Sequence, residues 1–126
     1  MVSIIVVGDL KPYKLYWSVL YEKYKNDEKY DFVFSSSIKE GIKKSKHNKV
    51  LITETHSIPT YETMTLLPEL GSKELDPVWH EYNVSKLKNT TCDCTWTMMK
   101  KDYNNQSREE CLKDKEVVRT KMYNLG

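Results

Sequence analysis

The sequence predicts an α/β domain in three layers, a parallel sheet with helices on both faces. Three observations predict it. Val2 to Val7 is an almost unbroken Val/Ile run with five β-branched apolar residues and no charge before Asp9. Such a run marks a strand buried on both faces. Two more short apolar runs follow by residue 57, and the gaps between the three carry helical patterns. Strand, helix, strand, helix, strand at this spacing makes two successive βαβ units, and right-handed crossovers turn them into a parallel sheet.

Each element has its own local reason. Gly8-Asp9 stops the first run where the chain leaves the sheet. From Pro12 to Lys25, Tyr13, Trp17, Leu20 and Tyr24 recur at helical spacing, with Tyr16 and Tyr21 beside them and Leu15 and Val19 widening the apolar arc. Pro12 suits a first helical turn, where its missing N–H costs nothing. Core packing is the favoured reading of this aromatic stripe, over a base-stacking platform. Tyr30 to Ser35 reads as the second strand, centred on Phe32, Val33 and Phe34. Ser37 and Glu40 form a capping box for a short second helix, weakened by Gly41 and ending in a lysine-rich turn before Asn48. Val50 to Thr53 is the third strand, leading into Glu54-Thr55-His56-Ser57. Together these make the half-sheet of a flavodoxin- or Rossmann-like arrangement.

Beyond residue 57 the periodicity thins. Ile58 to Leu67 reads as a short helix between Pro59 and Pro68 in preference to an alternating strand, and Asp76-Pro77 as an N-cap and N1 pair for a helix through Leu87. From Thr90 to Met99, Cys92, Cys94, Trp96 and Met98 alternate with threonines and Asp93. That is the pattern of a half-buried strand with one wet face, placed at the sheet edge and antiparallel to the first three. A second capping box, Ser107 with Glu110, opens an expected C-terminal helix running to Tyr123.

Composition narrows the function classes. The 126 residues are 39% hydrophobic and 30% charged, which suits one folded domain, and no apolar run is long enough to span a bilayer. With no charged-then-apolar leader at the start, a cytoplasmic location without membrane contact is expected. The net charge is +2, and the basic residues are 18 Lys against 2 Arg. That balance argues against a dedicated nucleic-acid binder, which concentrates a stronger basic excess and favours Arg for bidentate reading. The Lys, Asn and Tyr bias fits an A/T-rich genome, that of a low-GC bacterium or one of its phages. Cys92, Cys94 and Cys111 lack the paired spacing of a zinc site and are expected to be buried thiols.

If the sheet is parallel, the carboxyl ends of its first three strands collect Gly8, Asp9, Ser35, Ser36, Ser37, Glu54, Thr55 and His56 along one edge, where open α/β sheets hold ligands. The ligand-binding candidates are Gly8, Asp9, Ser36, Ser37, Thr55 and His56. Ordinary capping by Asp9, Ser37 and Thr55 or Ser57 competes with that role. There is no G-x-G-x-x-G and no P-loop. A phosphorelay receiver is excluded because Glu54 stands where an acceptor Asp is required. The preferred expectation is therefore a small binding or regulatory protein without turnover. It grips a protein partner or a nucleotide-like ligand, and a homodimer is compatible with the sequence. Its partner surface is sought at Trp79, His80 and Tyr82 or on the Thr91 to Thr97 face. The alternative is a small enzyme acting on a nucleotide or phosphoester. There Asp9 and Glu54 orient substrate or a magnesium ion, the serines hold phosphate, and His56 moves the proton. No metal or cofactor site is otherwise expected.

Overall fold

The computed structural model describes residues 1–69, 74–81, 87–89, 95–103 and 117–125, with backbone alone for 74–81, 87–89, 102, 117–121 and 124. Its first half follows the expected order. Strand β1 (Val2–Val7) is followed by a 3-10 turn (Lys11–Tyr13) and helix α1 (Lys14–Tyr24), then β2 (Tyr30–Ser35), α2 (Ile38–Lys44) and β3 (Lys49–Glu54). Strand β1 lies between β2 and β3, parallel to both, with Ile4 beside Phe32 and Leu51. The fold class is α/β with helices on both sides of the sheet.

Burial explains why β1 is central. Val2, Ile4 and Val6 join Trp17, Leu20 and Leu51 on one face, and Ile5 joins Val33, Ile42, Val50 and Ile52 on the other. Helix α1 covers the first face and α2 the second. Gly41 is what lets α2 come close: a Cβ there would overlap Ile5 Cγ2 and stand 2.8 Å from Ser35 Oγ. The glycine that weakens helix propensity is thus required by packing.

The second half departs from expectation in four places. Ser57–Pro59 forms a short strand, β4, and the helix α3 (Tyr61–Leu66) begins one residue beyond it, capped by Thr60 rather than by Thr55 or Ser57. The helix expected from Asp76-Pro77 is instead strand β5 (Glu74–Glu81), and Leu87–Asn89 is strand β6. Tertiary pairing overrides the capping signal, since β5 runs parallel to β8 (Val117–Asn124) over eight consecutive residues. Pro77 is tolerated because β5's other neighbours pair at Glu74 and at Val78 to His80, leaving Pro77 between them.

The C-terminal helix expected up to Tyr123 is replaced by β8 over residues 117–124, where Val117, Val118 and Thr120 supply β-branched side chains. The capping box at Ser107 and Glu110 lies outside the described residues. Strand β7 (Trp96–Met99) is antiparallel to β3 as expected, but it lies between β3 and β5 rather than at an edge. Neither of its faces is wet, because Thr95 and Thr97 are as buried as Trp96 and Met98. The buried hydroxyls have partners of their own kind. Thr53 Oγ1 and Thr95 Oγ1 are 3.0 Å apart, Thr53 Oγ1 donates to the Ser57 carbonyl at 3.0 Å, and Ser57 Oγ is 3.3 Å from Thr95 Oγ1. Threonine alternation therefore marked a hydroxyl-lined interior here.

The strand order is β2-β1-β3-β7-β5-β8-β4, with β6 paired to β5. Strand β4 follows β3 after two residues yet stands at the far end of that order, so the sheet curls until its last strand meets its middle. The Leu125 N–H donates to the His56 carbonyl at 2.7 Å and fastens the C-terminal strand to this turn. No helix among the described residues is long and apolar enough to cross a membrane.

Candidate functional site

The parallel strands do bring their carboxyl ends to one edge. Gly8, at φ +117°, occupies backbone space that favours glycine, and its N–H donates to the Ser35 carbonyl at 3.2 Å. A Cβ at Gly8 would stand 3.4 Å from Thr55 Oγ1, so the exits of β1 and β3 touch. The Thr55 N–H donates to the Val7 carbonyl at 3.2 Å, which closes the same corner from the other side.

What each candidate does there is mostly local. Asp9 is exposed, and its Oδ1 accepts from the Lys11 N–H at 3.0 Å, fixing the turn that leads into α1. Ser35 Oγ donates to the Ser37 carbonyl at 2.8 Å. Ser37 Oγ accepts from the Glu40 N–H at 3.2 Å as the N-cap of α2. Ser36 Oγ donates to Glu40 Oε2 at 3.0 Å, and Lys44 Nζ to Glu40 Oε1 at 2.7 Å. The capping box is therefore closed through the neighbouring serine: Glu40 reaches Ser36, not the Ser37 backbone. Hydrogen bonds from Lys44 first and Ser36 second hold the Glu40 carboxyl below its ordinary value. An anion approaching the serines would meet this carboxylate at the start of α2.

Thr55 is buried and acts through its backbone. Its carbonyl accepts the Trp17 indole N–H at 2.7 Å. Glu54 and His56 form the one pair with chemical potential at this edge. His56 Nδ1 stands 3.3 Å from Glu54 Oε2, with both side chains partly open to solvent. A carboxylate on Nδ1 fixes the orientation of the imidazole. Among the described residues no group of three or more His, Cys, Asp or Glu side chains is placed to hold a metal ion.

The remaining candidates divide. The backbones of Trp79 and His80 lie in β5, opposite Met122 and Tyr123 of β8. Tyr82, Cys92, Cys94 and Cys111 lie outside the described residues. Thr95 and Thr97 are buried, so the threonine face is no partner surface at those two positions.

The outer face of α1 differs from the sequence expectation. Leu15 and Val19, counted with the apolar arc of α1, face away from the sheet and are 74% and 56% exposed. The signal was present: at about 100° per residue, Leu15 lies roughly 160° around the helix from Trp17. Lys11, Lys14 and Lys23 are exposed on the same helical segment, while the carboxylate of Glu22 is held by Lys25 at 2.7 Å. Comparison with family models, curated proteins and solved structures returned no match to this chain.

Proposed function

We propose that this protein works by binding a protein partner, without turnover, through the outer face of α1. The observation that carries the reading is the exposure of Leu15 and Val19 one helical turn apart, flanked by lysines. Adjacent exposed aliphatic side chains on a helix are a recognisable docking feature when polar residues rim them. The exposed Lys11 and Lys14 favour an acidic segment carrying apolar anchors, whereas Lys23 Nζ lies over the Tyr61 ring at 4.6 Å. The strand-end polar groups support the same reading in the negative, because the Asp9 carboxylate and the Ser35, Ser36 and Ser37 hydroxyls already serve turns and caps within the chain. The composition adds the context of a small regulatory or host-interacting factor acting in the cytoplasm.

The test uses tagged full-length protein in its own host. A specific acidic partner is expected, recovered by the wild type and then bound as a purified protein in calorimetry. The double variant Leu15→Asp, Val19→Asp should lose that binding while keeping its unfolding midpoint. Multiple turnovers on any nucleotide by purified protein, abolished by Asp9→Ala or His56→Ala, would overturn the reading. That outcome would favour the enzymatic alternative, to which the Glu54–His56 pair lends its one supporting contact. In it, His56 is the proton carrier and a nucleotide-like substrate sits over Gly8 and Thr55.

A further inference from the structure

Strand β2 ends the strand order, and its outer side carries no partner strand among the described residues. Edges of this kind are normally blunted by lysine, proline or a bulge. Tyr30 to Ser35 has none of these residues, and its pairing with β1 is unbroken over all six positions. Its one charge, Asp31, is turned to its own chain, accepting from Ser3 Oγ at 3.0 Å and from the Lys46 N–H at 2.9 Å.

The directions of the backbone groups can be read from the bonds on the inner side. The carbonyls of Lys29 and Ser35 both accept from β1-side amides, those of Val2 and Gly8. Alternation along an extended strand then points the N–H and C=O of Phe32 and Phe34 outward. The N–H of Tyr30, which also points outward, already donates to the Asp27 carbonyl at 3.1 Å. Two residues, Phe32 and Phe34, thus hold a complete set of outward groups.

One face of this edge is wholly aromatic. Tyr30, Phe32 and Phe34 all lie on the α1 side, where their rings meet Tyr24, Tyr21 and Trp17 at centroid distances of 4.8, 5.7 and 5.9 Å. Phe34 and Tyr21 remain 37% and 42% exposed.

We propose that two copies of this chain associate edge to edge through β2, antiparallel, with Phe32 of each copy opposite Phe34 of the other and Val33 on the two-fold axis. In that register both outward residues form hydrogen-bonded pairs, so all four groups on each copy are satisfied. The neighbouring register, with Phe32 on the axis, would call on the Tyr30 N–H that Asp27 already takes. The chosen register also sets Asp31 opposite Ser35, so no like charges face each other. A two-fold axis perpendicular to the sheet keeps both α1 helices on one side. The exposed Phe34 and Tyr21 of the two copies therefore meet in a single aromatic seam. Self-complementarity of this sort is what an isologous interface requires. The outer face of α1 takes no part, so this association does not rest on the proposed partner site.

Sedimentation velocity of the full chain over a concentration series tests the proposal, with hydrogen exchange at the Phe32 and Phe34 amides as a local readout. A reversible dimer is expected, with protection of those two amides rising with concentration. Phe34→Lys adds a gatekeeper charge at a solvent-facing position. Phe34→Pro deletes one outward N–H while leaving the bonds to β1 intact. Each variant should raise the dissociation constant at least about tenfold with the circular dichroism spectrum unchanged. Leu15→Asp, Val19→Asp should leave the dimer intact. A wild type that stays monomeric throughout, or a dimer that persists in both Phe34 variants, overturns the proposal.

Discussion

The Trp17 indole N–H donates to the Thr55 backbone carbonyl at 2.7 Å, with both residues buried, and so ties the middle of α1 to the exit of β3. This bond crosses from a helix to the end of a strand 38 residues later. It holds in place the corner where Gly8 and Thr55 touch.

Replacing Trp17 with Phe should keep most of the ring packing while leaving the Thr55 carbonyl without its donor. The expected loss is about 1–3 kcal/mol, the penalty of an unsatisfied buried acceptor together with some lost volume. Urea denaturation of the two proteins measures it. A difference near zero would mean that water replaces the indole.

Gly41→Ala sets helix propensity against packing. An exposed helix position would gain about 1 kcal/mol from this change. Here the added methyl meets Ile5 and Ser35, and overpacking of this type costs about 1–3 kcal/mol. Net destabilisation is expected in thermal unfolding. A raised midpoint would show that α2 can slide off the sheet at little cost.

The Tyr30 hydroxyl donates to the Met64 carbonyl at 2.6 Å, binding β2 to α3. Burial first, and the neighbouring Tyr24 second, raise its phenol above the ordinary value of 10.0. A group raised in the folded state stabilises fully below its unfolded value, and that contribution is lost as pH rises through the folded value. Stability should therefore fall as pH climbs above 10. Tyr30→Phe should cost about 0.5–1.5 kcal/mol at neutral pH, and its alkaline loss should be shallower than that of the wild type. Unfolding midpoints between pH 7 and pH 11 give both numbers, and parallel curves for the two proteins would count against this role.

Thr95→Val preserves shape and removes the hydroxyl that stands between Thr53 and Ser57. Both of those hydroxyls are fully buried, so the expected cost is about 1–3 kcal/mol. The effect should show equally in β7 and in the turn joining β3 to β4, as matched loss of amide protection. Loss confined to one of them would show that the two are not coupled through these hydroxyls.

Which parts of this molecule were readable in advance follows from the range of the forces involved. Val2 to Val7 announces its own burial, Ser37 its own cap, and Tyr30 to Ser35 its own strand, because each rests on side chains within a few residues. Asp9 was readable as a cap of the first helix, yet its carboxylate closes the turn at Lys11 and Tyr13 stands at the N-cap of α1 without a side-chain bond. The outward turn of Leu15 and Val19 is also present in the helical period, which sets both about 160° from Trp17.

Other features had no local expression. Asp76-Pro77 has the chemistry of a helix start, and residues up to Tyr123 carry an apolar pattern that a helix can also use. Both segments become strands because β5 and β8 pair with each other over eight residues across a separation of about forty in sequence. Thr95 and Thr97 looked wet until Thr53, Ser57 and Leu51 were brought against them.

By itself, then, the sequence determined the βαβαβ half and the strand-end corner holding Gly8, Thr55, Glu54 and His56. Local burial and capping energies suffice for those. Only the tertiary structure decided that most of that corner's hydroxyls serve the chain itself, that the sheet curls from β3 round to β4, and that β2 ends the strand order among the described residues. Those outcomes depend on which distant strands find each other, and no short stretch of residues carries that information.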